Sequence, residues 1–335
     1  MKKLFVGLVG IVILIGCKDS FDMGDLQEEA KLVVNCFPSS EDTTWIEVTH
    51  SIPVIKGSEK NQWNDFLEVN NAQVVYKVNG EQRTVEWKDR IYDKWNMPCT
   101  QARYYVAGSH HVGDRVEVEV SAPGYASVHA KTVVSEAVPV KLQSLVKTKA
   151  YDSKLGESID VYQLSATFTD PAATEDYYAV RVRCKHYHDG TAGDQRPDSL
   201  YSHPKILIMS EPLLKPMSEL DSDFGFSNSF YQSFCIFSDT DINGQTYTLH
   251  LNLSTRHIQY PLDTYTSRPV CYQVQLYHLT PEMYRYMKSI NDIDNNELAK
   301  VGFSMIQPTY SNVDGGLGIV SAYTVSESGW LQLNE

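Results

Sequence analysis

The sequence lacks the short motifs that mark common reaction centres. It contains no GxSxG, HExxH or GxxxxGK(S/T) pattern, so a serine nucleophile, a catalytic zinc ion and a nucleotide phosphate are not signalled. It also contains no CxxC pair, which disfavours a redox dithiol and a zinc knuckle. The glycine-rich run 314–318 is not followed by a helical pattern, and we interpret it as a tight strand connection rather than a phosphate cradle. The sequence therefore indicates no reaction and no cofactor.

Positive charge is scarce in this chain. The 335 residues include 29 Lys and Arg against 42 Asp and Glu, which gives a formal net charge of −13. Binding to a nucleic acid backbone needs clustered basic side chains, whereas the basic residues of 181–185 alternate with apolar ones. We therefore expect no nucleic acid partner.

The apolar run at residues 4–15 is too short to cross a bilayer, because a spanning helix needs about 20 residues. It follows two lysines and ends in Leu14-Ile15-Gly16-Cys17, which resembles the lipobox of a bacterial lipoprotein. We interpret 1–16 as a signal peptide and Cys17 as the lipidated first residue of the mature chain. The alternatives are a short membrane anchor and an ordinary signal peptide with a chance cysteine.

Two or three acyl chains on Cys17 would be enough for stable anchoring. Residues 17–27 form a short acidic tether, which resembles the surface-export signal of Bacteroidota lipoproteins. We expect a protein that is lipid-anchored in the outer membrane and faces the cell exterior. The alternative is an ordinary tether on the periplasmic face.

Five cysteines remain after Cys17, and an odd number leaves at least one thiol unpaired. We expect at most one or two disulfides, and the spacing assigns no pairs. The five are Cys36, Cys99, Cys184, Cys235 and Cys271.

Apolar and polar residues alternate along much of the chain, as is typical of half-buried antiparallel strands. Within 116–120, for example, valines alternate with glutamates, and Asn79-Gly80 is a strong hairpin signal. Many short strands separated by turn signals favour β-sandwiches. We predict a mainly β fold of two antiparallel, immunoglobulin-like β-sandwich domains at 28–138 and 139–335.

One helix is predicted near 281–290. Thr280 is a good N-cap, Pro281 suits the first helical position, and Leu279 can pack on Tyr284. We interpret the apolar face of this helix as core packing. Its residues are Met283, Met287 and Ile290.

Several segments together resemble the Bacteroidota lipoprotein family called domain of unknown function 4249. The resemblance extends from about Glu28 to Trp330, and the order and spacing of the segments carry it. The segments are Leu32-Val33-Val34-Asn35, where Cys36 replaces a usual glycine; Asn71-Ala72-Gln73-Val74 with Asn79-Gly80; Phe168-Thr169-Asp170-Pro171 with Asp176-Tyr177-Tyr178; Phe237-Ser238-Asp239 with Asn243-Gly244; Tyr284-Arg285-Tyr286; and Ser311-Asn312-Val313 with Gly316-Leu317-Gly318-Ile319.

The resemblance implies an outer-membrane lipoprotein. Many members of the family are expected to be encoded beside TonB-dependent transporters, which implies an accessory or substrate-capturing role with such a β-barrel as partner. The family has no assigned reaction, so no catalytic residues are carried over.

Two patterns resemble metal-ligand sets. Cys184, His186 and His188 share one strand face and could ligate zinc or copper. Tyr178 and two valines occupy the same face, so a core position is the simpler interpretation of Cys184.

Asp239, Asp241 and Asn243 resemble the first half of an EF-hand calcium loop. The twelfth position is His250 instead of glutamate, and a strand pattern follows, so a hairpin turn is the simpler interpretation. We therefore predict no metal site, with both sets kept as candidates.

Aromatic residues bracket a loop in the first domain. Tyr92, Trp95, Tyr104 and Tyr105 could stack on a sugar ring or contact a protein partner. The alternative is that they belong to the core. The loop at 189–202 is a second place to seek a ligand site.

The sequence favours a non-catalytic binding or accessory protein that works with a TonB-dependent transporter in nutrient uptake. The second candidate is an adhesin or structural lipoprotein of the cell envelope. The third is a surface hydrolase, because paired carboxylates distant in sequence leave no local signature.

Overall fold

The protein is described here from a computed structural model, which covers nine stretches of the chain. Cys17, Trp95, Cys99 and His188 lie outside them. The described residues are 29–52, 67–92, 100–152, 156–187, 199–207, 211–214, 235–255, 269–295 and 308–332.

The chain is mainly β, as predicted, and within the described residues its strands form four sheets. Two of these sheets belong chiefly to the first part of the chain. The five-stranded sheet has the order β16 (Leu317–Val320), β1 (Leu32–Cys36), β2 (Thr43–His50), β6 (Arg103–Ala107) and β5 (Glu86–Lys88). The four-stranded sheet has the order β4 (Glu81–Arg83), β3 (Gln73–Val78), β7 (Arg115–Ser121) and β8 (Val128–Val133).

The other two sheets use the longer strands that follow. The three-stranded sheet has the order β14 (Thr246–Ser254), β10 (Glu157–Thr169) and β9 (Val140–Asp152). The six-stranded sheet has the order β12 (Ser199–Ser202), β11 (Tyr177–Tyr187), β15 (Pro269–Leu279) and β17 (Tyr323–Glu327), with β13 (Ile236–Ser238) paired to β11 and β18 (Leu331–Gln332) paired to β15.

Alternation of side chains gives each pair of sheets a common core. In the first pair, Val34 and Ile46 of the five-stranded sheet share a cluster with Tyr76 and Val118 of the four-stranded sheet. The second pair shares a larger cluster in the same way. Burial of these apolar faces is the main stabilising contribution, at about 25 cal/mol per Å² of apolar area.

The predicted hairpin at Asn79-Gly80 is confirmed, since both residues have positive φ between β3 and β4. The immunoglobulin-like topology and the domain boundary near residue 138 stay predictions. Residues beyond that boundary also enter the first core, because Val313 and Val320 pack there.

The predicted helix is confirmed and is longer than expected. Helix α1 spans Pro281–Asn295, and the Thr280 side chain accepts a hydrogen bond from Met283 N at 3.3 Å. Met283 is buried, and Tyr284 and Met287 pack against the same small cluster. Met283 and Met287 therefore pack in the core, as interpreted from the sequence, whereas Ile290 is half-buried. No helix among the described residues is long and apolar enough to cross a membrane.

The C-terminal part of the chain returns to the first strand. Strand β16 pairs in parallel with β1, and Asn35 Oδ1 accepts a hydrogen bond from Ile319 N at 3.3 Å. Two glycines allow this close approach: a Cβ on Gly316 would lie 2.7 Å from Leu32 O, and one on Gly318 would overlap the backbone of Val34. Gly318 also has a φ of +104°, which other residues rarely adopt.

From β16 the chain passes directly into the second pair of sheets. Ser321 N donates to Cys36 O at 3.0 Å, and the Ser321 hydroxyl is bonded to that of Thr280. Ala322 N donates to Thr132 Oγ1 at 3.0 Å before β17 begins. Residues 317–332, named the C-terminal segment, therefore connect the two pairs of sheets.

We predict that Gly318→Ala destabilises the chain strongly. The new methyl group meets the Val34 backbone, and the positive φ adds strain, so the loss should be about 2 kcal/mol or more. Thermal unfolding followed by circular dichroism measures it. Gly329→Ala is the matched control, because nothing lies within 4 Å of its Cβ position. Equal melting temperatures for the two variants would contradict the close packing of β16 on β1.

Candidate functional site

The aromatic residues predicted around the first loop occupy different environments. Tyr104 is buried, and its hydroxyl donates to Val69 O at 3.0 Å while accepting from Ala72 N at 2.9 Å. Tyr92 is exposed, and Trp95 lies outside the described residues. Tyr104 is thus a core residue, which matches the alternative interpretation for that position.

Tyr105 points to the opposite face of β6, where it contacts Trp45 with ring centres 5.6 Å apart. The Tyr105 hydroxyl donates to Glu86 Oε2 at 2.5 Å. Arg103 stacks on Trp45 at 3.8 Å from the ring centre and forms an ion pair with Glu47 at 3.8 Å. This face is polar and aromatic, and its groups are paired with one another.

The cysteine of the predicted Cys/His set lies in the core. Cys184 is buried beside Val182 on the inward face of β11, and burial raises the pKa of its thiol to about 12. Burial among apolar side chains disfavours the thiolate that a metal would need, and Cys184 packs as a core residue. The side chain of His186 and the whole of His188 lie outside the described part of the structure.

The cysteines that the structure describes are all free thiols. They are Cys36, Cys184, Cys235 and Cys271.

The predicted calcium-loop residues separate into two environments. Asp239 is buried, whereas Asp241 and Asn243 are exposed. Asp239 instead meets Asp170 and Asp176, and one oxygen of each carboxylate lies within 4.8 Å of the others. We name these three residues the carboxylate cluster.

Each carboxylate of the cluster accepts hydrogen bonds from protein donors. Asp170 accepts from the Tyr178 hydroxyl at 2.6 Å and from Gly244 N at 2.8 Å. Asp239 accepts from the Asn243 side chain at 3.2 Å. The Tyr178 ring stacks on His278, with centres 5.2 Å apart.

Asp176 accepts from Thr174 Oγ1 at 2.6 Å and contacts His278 Nε2 at 2.8 Å. The other ring nitrogen of His278 faces the backbone oxygen of Glu136. His278 therefore links Asp176 to the backbone of Glu136.

The carboxylate cluster can do two things chemically. Oxygen ligands from three carboxylates suit a divalent cation such as Ca²⁺, and the same close group can hold shared protons. Burial raises the pKa of the Asp239 carboxyl, and the nearby Asp170 and Asp176 raise it further. The protein donors around the cluster give it a structural role, because it ties the β13–β14 turn to the start of β11 and the end of β15.

A second group of side chains lies on the outer face of the six-stranded sheet. The guanidinium carbon of Arg183 is 4.1 Å from the ring centre of Tyr201 and 5.8 Å from that of Trp330. The two ring centres are 6.0 Å apart, and the rings are tilted by 42°. Both rings reach solvent, with 47% of Tyr201 and 37% of Trp330 exposed. Together with Gln273 and Glu327, these residues are named the Arg183 patch.

Gln273 contributes a polar atom without a partner. It lies opposite Arg183 in the pairing of β11 with β15, on the same face of the sheet. Its amide nitrogen donates to Ser328 O at 2.9 Å, but its Oε1 is buried and has no hydrogen bond within the described residues. Gln273 is only 4% exposed. An unpaired buried carbonyl of this kind costs about 1–3 kcal/mol, which makes it unusual.

The Arg183 patch lies on a basic sheet face in an acidic chain. Arg181, Arg183 and Lys185 alternate with buried residues on β11 and therefore share its outer face. Burial lowers the pKa of the His203 imidazole, and the charges of Arg181 and Arg183 lower it further. Glu327 is the acidic member, with its Oε1 3.7 Å from Arg183 Nη1.

Backbone pairing fixes the position of Trp330. Ser328 N donates to Val274 O, and Val274 N donates to Ser328 Oγ, both at 2.9 Å. These bonds hold the turn between β17 and β18 against the central strand β15. The aromatic ring of Trp330 is thereby presented on a rigid support.

The sequence profile of a protein family described as Domain of unknown function (DUF4249) matches residues 18–328. The chain belongs to this family. A search of curated proteins and a search of solved structures find no match. The DUF4249 match covers the carboxylate cluster and every member of the Arg183 patch except Trp330.

Neither group of side chains could be assembled from the DUF4249 sequence alone. The cluster joins Asp170 to Asp239, and the patch joins Arg183 to Trp330, in each case across long stretches of chain. Weak signals were present: Asp170, Asp176 and Asp239 fall in segments that carry the family resemblance, and Tyr201 falls in the loop at 189–202. The strand pairing that brings them together leaves no local pattern.

We predict that Asp239→Asn stabilises the chain at neutral pH. Folding raises the pKa of the Asp239 carboxyl. Its contribution to stability is therefore fully present below the pKa of the unfolded state, and it is lost as the pH rises through the pKa of the folded state. The amide carries no charge, so the melting temperature should exceed that of the wild type at pH 7 by a few degrees, and by less at pH 4.

Differential scanning calorimetry across this pH range measures the effect. The exposed Asp241→Asn is the matched control and should change the melting temperature little at either pH. The opposite result would be a lower melting temperature for Asp239→Asn than for the wild type at pH 7. If EDTA removes this difference, the cluster holds a cation.

Proposed function

We propose that this chain is a non-catalytic capture protein, lipid-anchored in the outer membrane and facing the cell exterior, that works with a TonB-dependent transporter in nutrient uptake. The Arg183 patch carries the proposal. Two exposed aromatic rings flank one arginine there, and an unpaired buried acceptor lies on the same sheet face. Exposed aromatic and arginine side chains are enriched where proteins bind ligands.

The strands beneath the patch suit ligand binding without a large rearrangement of the backbone. Gln273 and its neighbours lie on β15, the strand that pairs with β11, β17 and β18. A rigid sheet holds side chains in place, so less conformational entropy is lost when a ligand binds. This is the geometry expected of a capture surface.

The anchoring part of the proposal rests on the lipobox that ends at Cys17. The DUF4249 match begins at residue 18, directly after that cysteine, which supports processing at this point. The transporter partner is implied by the family resemblance. A lipid tether would then confine the capture surface to the membrane that contains the transporter.

We predict that Cys17→Ser releases the chain from the membrane. The variant loses the thiol that would receive diacylglycerol, so metabolic labelling with an alkyne-palmitate analogue should fail and the protein should move to the soluble fraction. Cys271→Ser is the matched control and should keep both the label and the membrane fraction. A labelled, membrane-bound Cys17→Ser protein would refute anchoring through this residue.

We also predict a specific membrane partner. The native chain, solubilised in mild detergent at its natural expression level, should co-purify with a TonB-dependent β-barrel that mass spectrometry identifies. Recovery of a monomer alone would contradict the transporter partnership. Recovery of a self-assembled polymer would favour the second candidate, a structural lipoprotein or adhesin.

A further inference from the structure

We propose that the Arg183 patch binds an anionic oligosaccharide, a sugar chain that carries carboxylate or sulfate groups. The inference rests on the proposed capture function and names the chemical class of the ligand. It uses three independent features of the patch: its rings, its charge and its unpaired acceptor.

The rings give the patch an apolar surface that suits a sugar. Tyr201 and Trp330 are 47% and 37% exposed, although aromatic side chains gain most by burial. Their centres are 6.0 Å apart, and the ring planes are inclined by 42°. The two ring faces therefore meet at an angle and do not form one flat surface. The C–H face of a pyranose ring packs well on an aromatic face of this kind. A second sugar residue could contact the second ring.

The basic side chains of β11 in and beside the patch favour an anion. Arg181, Arg183 and Lys185 lie on one face of β11, whereas the chain as a whole has a formal charge of −13. Arg183 is 3.7 Å from Glu327, which is longer than a charge-assisted hydrogen bond, and within the described residues its guanidinium donates no hydrogen bond. Its donors can therefore bind a carboxylate or sulfate while its plane stays against the rings.

Two further side chains suit the hydroxyl groups of a sugar. Glu327 is an acceptor at the rim of the patch, although its Oε1 already accepts a bond from Gln275 Nε2 at 2.8 Å. Gln273 Oε1 needs a donor, and a sugar hydroxyl or a water held by the sugar supplies one. Gln273 is only 4% exposed, so a ligand reaches this atom after the side chains that cover it rotate, while the backbone of the sheet stays in place.

An acidic peptide would satisfy the charge of the patch but gains less from two exposed rings beside the arginines. The combination of stacking surface, cations and a hydroxyl acceptor favours a charged sugar over a peptide. An acidic polypeptide is therefore used as a competing probe, and the proposal requires that it bind more weakly than the charged sugar.

The test uses the full chain, purified in mild detergent, and isothermal titration calorimetry with four probes. They are a galacturonic acid hexamer, a heparin-derived hexasaccharide, maltohexaose and poly-glutamate. We expect binding of at least one anionic sugar, weakened by added salt, and at least about tenfold weaker binding of maltohexaose and poly-glutamate. Binding of the galacturonic acid hexamer would show that carboxylates are sufficient, and binding of the heparin hexasaccharide alone would show that sulfate groups are needed.

Variants locate the binding surface. Arg183→Met and Trp330→Ala should each weaken binding of the better anionic sugar about tenfold, since they remove the cation and one ring. Tyr151→Ala is the matched control for loss of an exposed aromatic residue: it lies on β9, is 66% exposed and should leave the affinity unchanged. Circular dichroism checks that each variant is folded. Arg183→Lys is a milder change, because it keeps the positive charge but loses the planar pair of donors.

Three results would overturn the proposal: no binding of either anionic sugar, equal binding of maltohexaose or poly-glutamate, and sugar binding that the patch variants leave intact. The experiment needs neither lipid nor transporter. Sugar binding without a co-purified β-barrel would therefore count against the proposed partnership alone, and a co-purified β-barrel without sugar binding would count against the ligand class alone.

Discussion

The parallel pairing of β1 with β16 is the constraint on which the rest of the structure depends. It joins Asn35 to Ile319 across 284 residues, so closing this loop costs more conformational entropy than a local contact does. Gly316 and Gly318 make the approach possible, because side chains there would meet the backbone of Leu32 and Val34. The pairing brings the C-terminal segment into the first core and fixes where its next strands begin.

The C-terminal segment then builds the surface to which we assign function. After β16 it passes the cap of helix α1, pairs with β15 as β17 and β18, and presents Trp330 beside Arg183. The carboxylate cluster performs a related task inside the second pair of sheets, where it ties turns to strands through polar contacts. The carboxylate cluster is buried, and protein donors bind most of its oxygens. The Arg183 patch has two exposed rings and keeps one unpaired, buried acceptor in Gln273. That contrast separates a structural group from a candidate binding surface.

Local patterns predicted the fold class, the hairpin at Asn79-Gly80 and helix α1, because alternation, turn chemistry and capping act over a few residues. They did not predict the two side-chain groups. The loop spacing grouped Asp239 with Asp241 and Asn243. The structure keeps the contact with Asn243 and adds Asp170, after β10, and Asp176, before β11. No sequence pattern marked Trp330 as a site residue, since only the pairing of β18 with β15 places it near Arg183.

The central claim is that the DUF4249 chain captures its ligand on the outer face of the six-stranded sheet, at the place that the C-terminal segment completes. Hydrogen–deuterium exchange of the full chain, with and without the tighter-binding anionic hexasaccharide, tests it most directly. The account predicts slower exchange in peptides that cover residues 199–205 and 327–332, where Tyr201 and Trp330 lie. Slower exchange confined to the strands around Trp45, or no change anywhere, would contradict it.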